Sequence, residues 1–357
     1  MALDHIESVS PPLDLSEFDA VIDVRSPSEF EEDHLPEALN LPVLDDRQRS
    51  EIGALFREDP FAARRAGAAC ISAATAAHLA GDLATRPRRW QPLVYCWRGG
   101  MRSRAFAFIL RSVGWRARIL HGGYKSWRRF MIAELDRLFS RPGFRFEILA
   151  GLTGAGKTRL LAALHAAGAQ VLDLEALAAH RGSLLGQAGK QPSQKRFESL
   201  IYQTVAPFDP ASPVFIEAES NRIGRLSVPP ALWQRLHQGV VTELVLPLAE
   251  RVRVLLEDYP HFPAQPARLA ELLDQLRPLR GHASVDAWQE QISRRDWPSF
   301  VRSILEQHYD PAYRKPGAGK SVYPHPSRTL SLPDASPPTL DQTAARLMEE
   351  ARAAPRH

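Results

Sequence analysis

Gly151-Leu152-Thr153-Gly154-Ala155-Gly156-Lys157-Thr158 fits the pattern G-x-x-x-x-G-K-[ST]. The apolar run 144–150 before it predicts a strand, and 158–167 after it predicts a helix. In such a turn the glycines let backbone N–H groups wrap phosphate oxygens. Lys157 adds a point charge, and the Thr158 hydroxyl can ligate Mg²⁺. The phosphate-binding set is therefore Gly151, Thr153, Gly154, Ala155, Gly156, Lys157 and Thr158. Downstream, 171–174, 214–218 and 240–246 read as further strands. Residues 248–308 are helical in pattern, punctuated by Pro260, Pro263, Pro266 and Pro278. Residues 324–338 form a Pro/Ser-rich tail, and Thr339 with Gln342 predicts a capping box opening a last helix.

Upstream, 20–24, 92–96 and 118–120 read as strands, separated by helical patterns at 61–85 and 103–113. Residues 125–139 place Trp127, Phe130, Met131, Leu135 and Leu138 at helical spacing. Strands alternating with helices predict a second parallel α/β sheet. Ser140-Arg141-Pro142-Gly143 breaks the pattern. The expected domains are 1–140, 141–247 with the phosphate loop, and a mainly helical 248–357 belonging to the phosphate-loop half.

The ligand of the loop is open at this level. The GTPase base-reading motif is absent, since the only asparagines are Asn40 and Asn221. Glu217 closes a predicted strand and can serve as an acidic partner at a metal. Asp173 and Glu175, also at a strand end, precede His180-Arg181-Gly182-Ser183, whose His-Arg pair could clamp a second phosphate. Asp173, Glu217, His180 and Arg181 are thus candidates for a metal or second-phosphate site. The competing reading is solvated side chains at strand and helix ends.

Of two cysteines, Cys70 sits on an Ala-rich helical stretch and reads as packing. Cys96 follows the 92–96 strand, in Cys96-Trp97-Arg98-Gly99-Gly100-Met101-Arg102-Ser103. A cysteine between a strand and a helix N-terminus, with Arg98, Arg102 and Arg104 nearby, is placed to favour thiolate and to cradle an anion. Cys96, Arg98 and Arg102 are the candidate catalytic residues. Two cysteines exclude a disulfide framework and a four-cysteine zinc site, and point to a reducing compartment.

The first residues lack the apolar core of a secretory leader, and no run of about 18 apolar residues occurs. A cytoplasmic location without a membrane span is expected. The formal net charge of +4 hides strong blocks. Residues 1–60 carry 16 acidic and 4 basic side chains, net −12; residues 61–140 carry 3 and 15, net +12; the remainder carries 22 and 26, net +4. The +12 block contains the cysteine loop and suits a phosphate-rich partner.

Asp23-Val24-Arg25, Glu29-Phe30, His34-Leu35-Pro36-Glu37-Ala38-Leu39-Asn40-Leu41-Pro42, the cysteine loop and Gly122-Gly123-Tyr124 together resemble the rhodanese family. Two departures stand out. Asp33 and Glu37 replace the glycines usual beside the His-Ile-Pro stretch. Cys96 and Arg102 are separated by five residues, one more than in the usual sulfurtransferase loop. That spacing also occurs in Cys phosphatases.

The whole chain resembles the bacterial tRNA 2-selenouridine synthases. This further likeness rests on Tyr95-Cys96-Trp97-Arg98-Gly99-Gly100, Asp173-Leu174-Glu175 with His180-Arg181-Gly182-Ser183, and Ser193-Gln194 with Phe197-Glu198. Glu217-Ala218-Glu219-Ser220 with Arg222-Ile223-Gly224, and Tyr309-Asp310-Pro311 with Tyr313-Arg314, complete it. The resemblance implies a rhodanese-like parallel-sheet domain followed by a P-loop NTPase-like α/β domain with a helical C-terminal region. It implies action on the wobble uridine, in the anticodon region, of tRNAs carrying 2-thiouridine. There the sulfur is geranylated from geranyl diphosphate, and the S-geranyl group is then exchanged for selenium from selenophosphate. Both donors are substrates, so no tightly bound cofactor is implied, and Mg²⁺ is expected at most at the loop. Cys96 would carry selenium as a perselenide or attack the donor, with Arg98 and Arg102 holding the anion. Trp90, Trp97, Trp115 and Tyr124 are candidates to stack a splayed base. The runner-up is a sulfurtransferase or Cys phosphatase fused to a nucleotide-dependent kinase-like domain acting on a small molecule. A third reading is an ATP-gated scaffold with a degenerate rhodanese fold.

Overall fold

The computed structural model describes residues 6–140, 144–180, 190–314 and 326–353. The chain divides into two compact units, Met1–Leu135 with Pro192–Gln203, and Asp136–Gln191 with Thr204–His357. The division falls inside the helix that ends at Ser140, just before the SRPG break. It also assigns to the first unit a segment from the middle of the phosphate-loop sequence.

The first unit is built on a parallel sheet. Its strands are β1 (Ser8–Val9), β2 (Ala20–Asp23), β3 (Leu39–Asn40), β4 (Pro92–Tyr95) and β5 (Arg118–Leu120), in the order β1-β5-β4-β2-β3. The three strands expected from apolar runs form the centre. The two-residue edge strands β1 and β3 are too short to leave a periodic signal. Helices α1 (Pro27–Glu32), α2 (Asp46–Glu58), α3 (Pro60–Ala80), α4 (Met101–Val113) and α5 (Gly123–Ser140) connect the strands. Ile22, Val94, Ile71, Phe106 and Leu110 fill the core. Trp90 and Trp115 pack edge to face at 5.2 Å, and both are buried, which removes them as base-stacking candidates. Residues 192–203 complete this unit as most of the Gln194–Val205 helix. Tyr202 sets its ring against Trp127 and Phe130 of α5, and Phe197 and Ile201 are fully buried.

The second unit holds β6 (Arg145–Gly151), β7 (Gln170–Leu172), β8 (Pro213–Glu217), β11 (Val240–Val245) and β12 (Arg328–Ser331). They form a parallel sheet in the order β12-β11-β6-β8-β7. A small antiparallel pair, β9 (Arg222–Ile223) with β10 (Leu226–Ser227), lies outside it. The Pro/Ser-rich tail contains β12, for which no strand was expected. Arg328 explains its docking: its guanidinium reaches buried Glu147 on β6 at 2.9 Å and the Thr242 hydroxyl on β11 at 2.6 Å. The last helix is Pro337–Ala353, so Thr339 lies inside it rather than capping it. The Ser336 carbonyl already accepts the Leu340 N–H, and Pro337 suits a first turn because it has no N–H to leave unpaired. This helix packs Leu340, Ala344 and Leu347 into one core with Leu160 and Leu164 of α6 (Lys157–Ala166). No helix among the described residues is long and apolar enough to cross a membrane.

Candidate functional sites

Cys96 directly follows β4. Its side chain is 3% exposed and its Sγ lies 3.2 Å from the Ser103 hydroxyl in the first turn of α4. Gly100 is the N-cap of α4, and no side chain caps that helix. Its N-terminal amides are therefore open to an anion. The loop is held from behind by the turn into α5: Tyr124 N–H donates to the Cys96 carbonyl (2.8 Å) and Lys125 N–H to the Trp97 carbonyl (3.0 Å). That approach requires glycine at 123. Its φ is +60°, and a Cβ there would lie 2.2 Å from the Cys96 carbonyl oxygen.

The predicted arginines behave differently from one another. Arg98 is exposed. Arg102 donates to Glu29 of α1 at 2.8 Å instead of turning to the thiol. Burial works against the Glu29 carboxylate, but the hydrogen bond and charge of Arg102 hold it below the ordinary range. Trp97 is half-buried. The Tyr124 ring stacks on it at 5.3 Å, and Lys195 of the Gln194–Val205 helix lies 5.7 Å from its centroid.

A buried polar hub braces this arrangement. Asp33 is 1% exposed, and its Oδ2 accepts the Tyr124 hydroxyl and the Ser199 hydroxyl, each at 2.8 Å. Its backbone carbonyl accepts Arg25 Nη2 at 2.6 Å, while Arg25 also pairs with Asp23 and lies 4.1 Å from the Tyr124 ring centroid. Burial raises the Asp33 carboxyl, against the pull of those hydrogen bonds and of Arg128 and Arg196. The residue stood out in the sequence only as a departure from glycine, since its partner Ser199 lies 166 positions away.

In the second unit Gly151–Thr158 forms the loop between β6 and α6. Gly151 has φ +146°, and a Cβ there would meet the Leu244 carbonyl oxygen at 2.7 Å. Lys157 Nζ donates to the Gly151 carbonyl at 3.0 Å. Arg251 Nε donates to the Thr153 carbonyl at 2.9 Å, and Arg251 is itself buried against Asp310 in a two-bond pair of 2.6 and 3.0 Å. Asp310 directly follows a π-helical turn, Leu305–Tyr309. Asp310→Ala strands the buried Arg251 guanidinium, so unfolding stability should fall by about 3–5 kcal/mol. Phosphate-ligand affinity should fall with it, because Thr153 loses its brace. Urea unfolding and ligand titration of the same variant check both.

The loop opens on a cavity of about 300 Å³. Its lining combines the loop with Glu175, Glu217 and Glu219, the apolar and aromatic Val254, Leu255, Tyr259 and Tyr309, and the charged Arg159 and Asp258. Glu217 ends β8 and accepts the Thr158 hydroxyl. Burial pushes its carboxyl up to about 7 despite Lys157 and Thr158. Glu175, also desolvated and facing Glu219 and Glu217, is pushed up to about 9. The three carboxylates converge within 4.8 Å of one another. Glu217 Oε1 is buried with no hydrogen-bond partner, so an oxygen donor set suited to Mg²⁺ is present.

Asp173 instead accepts the Ala176 N–H at 2.8 Å and caps the short Leu174–Leu177 helix. His180 is half-buried, and burial lowers its pKa. Arg181, with Gly182 and Ser183, lies outside the described residues. The sequence thus singled out Glu217 and set Glu175 beside Asp173 at a strand end, but gave Glu219 no role at the loop. Their signal was the Glu-Ala-Glu spacing after a strand and the Asp-Leu-Glu triplet after another. Arg251 carried no signal at all.

Comparison with known proteins places both units. Residues 11–130 match the rhodanese-like domain, and residues 144–277 match the tRNA 2-selenouridine synthase AAA domain. The tRNA 2-selenouridine synthase of Aeromonas salmonicida is 31% identical over 324 residues, 82% of this chain and 86% of that protein. The protein of the same name from Nitrosomonas europaea is 33% identical over 252 residues, 67% of this chain and 63% of that protein. The one from Hydrogenovibrio crunogenus is 36% identical over 256 residues, 67% of each. The matched region thus spans somewhat less than two thirds of the Nitrosomonas protein.

Proposed function

The chain belongs to the tRNA 2-selenouridine synthase family, and from that membership and its two sites we propose that it is a transferase modifying the wobble uridine of tRNA. In the first step the sulfur of 2-thiouridine attacks the allylic carbon of geranyl diphosphate. A C–S bond forms and diphosphate leaves. In the second step the selenium of selenophosphate adds to C2 of the S-geranyl nucleoside and geranyl thiolate leaves, taking a proton to depart as the thiol; water then cleaves the Se–P bond and carries the phosphoryl group away as phosphate.

The observation that carries this reading is the mixed lining of the second unit's cavity. The loop, Lys157 and Thr158 suit a diphosphate, while Val254, Leu255, Tyr259 and Tyr309 offer apolar contacts to a short prenyl chain, with Arg159 and Asp258 also in the lining. A bound Mg²⁺ would supply charge neutralisation of the leaving diphosphate, with Thr158 and Glu217 among the residues to hold it. Lys157 adds a second positive charge there. In the first unit the open N-terminus of α4 and the Cys96 thiol suit the tetrahedral selenophosphate anion, with exposed Arg98 beside them. Arg102 serves this site by fixing α1 through Glu29. The +12 block supplies phosphate contacts for tRNA.

The test is a complete reaction on thiolated tRNA, with nucleosides identified by mass. Geranyl diphosphate alone should give S-geranyl-2-thiouridine, and both donors together should give 2-selenouridine. Failure to modify tRNA with any combination of donors overturns the reading.

A further inference from the structure

The reaction just described calls on one acidic residue at the phosphate loop, yet three converge there. Glu217 ends β8, Glu219 follows it, and Glu175 comes from the short helix after β7. One ligand oxygen from each lies within 4.8 Å of the others. Glu217 is 4% exposed, with its Oε1 unpartnered at the cavity wall. A buried carboxylate oxygen left without a donor is costly unless something cationic or protic meets it.

Phosphate-loop sites ordinarily hold Mg²⁺ by one or two protein oxygens together with the substrate's phosphates. The metal then arrives with the phosphate. Three carboxylates form a different donor set, one that can bind a hard cation unaided. We propose that Glu175, Glu217 and Glu219 form a divalent-cation site that fills before the phosphate substrate arrives, so that the substrate meets a metal-loaded loop. The proposal rests on the phosphate-loop reading of Gly151–Thr158 and is independent of the tRNA chemistry.

The test uses the full chain stripped of metal with a chelator. Mn²⁺ is titrated in the absence of phosphate, tRNA and prenyl donor, and free Mn²⁺ is read by electron paramagnetic resonance. One saturable site, displaced by Mg²⁺, is expected. Glu175→Gln and Glu219→Gln should each weaken Mn²⁺ about ten-fold or more, because each removes a charged ligand. Lys157→Ala should bind Mn²⁺ at least as tightly as the unaltered chain while losing affinity for inorganic diphosphate. Binding of Mn²⁺ only after diphosphate is added would overturn the proposal, as would unaltered affinity in both Gln variants. The titration of the unaltered chain with and without diphosphate decides the order of binding even where a variant does not fold. Should the phosphate loop not bind phosphate at all, diphosphate will fail to bind with Mn²⁺ present, a result distinct from the absence of a Mn²⁺ site.

Discussion

Cys96→Ala is expected to convert thiolated tRNA to its S-geranyl form at the normal rate and to produce no 2-selenouridine. The substitution removes one sulfur from a side chain that is 3% exposed and sits at the end of β4, so the fold should lose little. What disappears is a thiol at the uncapped start of α4, whose Sγ lies 3.2 Å from the Ser103 hydroxyl. On the proposed reading prenyl transfer uses none of these atoms, because its donor sits in the second unit. The geranylated nucleoside should therefore accumulate, measured by mass after digestion. Selenouridine at the normal rate would show that selenium is delivered without Cys96. Ser103→Ala is the graded companion: it keeps the thiol and removes its hydroxyl neighbour, so selenium transfer should slow without ceasing.

The residues that place these two sites differ sharply in how far the sequence exposes them. The glycine loop and the cysteine loop each follow a run of apolar residues and precede a helix, so local order alone locates them. The central strands of both sheets are legible for the same reason, as buried parallel strands are continuous apolar runs. β1 and β3 are not, because two residues carry no period. β12 was hidden by its Pro/Ser surroundings; it pairs along its length with β11, and Arg328 reaches Glu147, a contact across 181 positions. The convergence of Glu175 with Glu217 is likewise created by the pairing of β7 with β8. Arg102 carries a contact that its spacing from Cys96 did not reveal: its guanidinium donates to Glu29 on α1 at 2.8 Å. The Gln194–Val205 helix was read as part of the phosphate-loop half. It belongs with the first unit because Phe197, Ser199 and Ile201 find their burial and hydrogen bonds there.

Lys157→Ala is expected to show the converse of Cys96→Ala. Prenyl transfer should fall by roughly 10²–10³, the usual cost of removing one group that stabilises charge developing on a leaving oxygen. Nζ now rests on the Gly151 carbonyl at 3.0 Å. That bond contributes modestly, and loss of one neutral acceptor's partner leaves Gly151 at a partly exposed carbonyl, so folding should survive. The loop backbone remains braced by Arg251 on the Thr153 carbonyl, so its amides still bind diphosphate weakly. The deficit should consequently fall on the rate of the prenyl step more than on the ability to hold tRNA. Single-turnover geranylation at saturating donor separates the two. Selenium transfer onto tRNA that has been geranylated beforehand should proceed normally in this variant, because Cys96 and α4 are untouched. If pre-geranylated tRNA also fails, the two loops do not act in separate steps, and the division of labour between Cys96 and Lys157 falls.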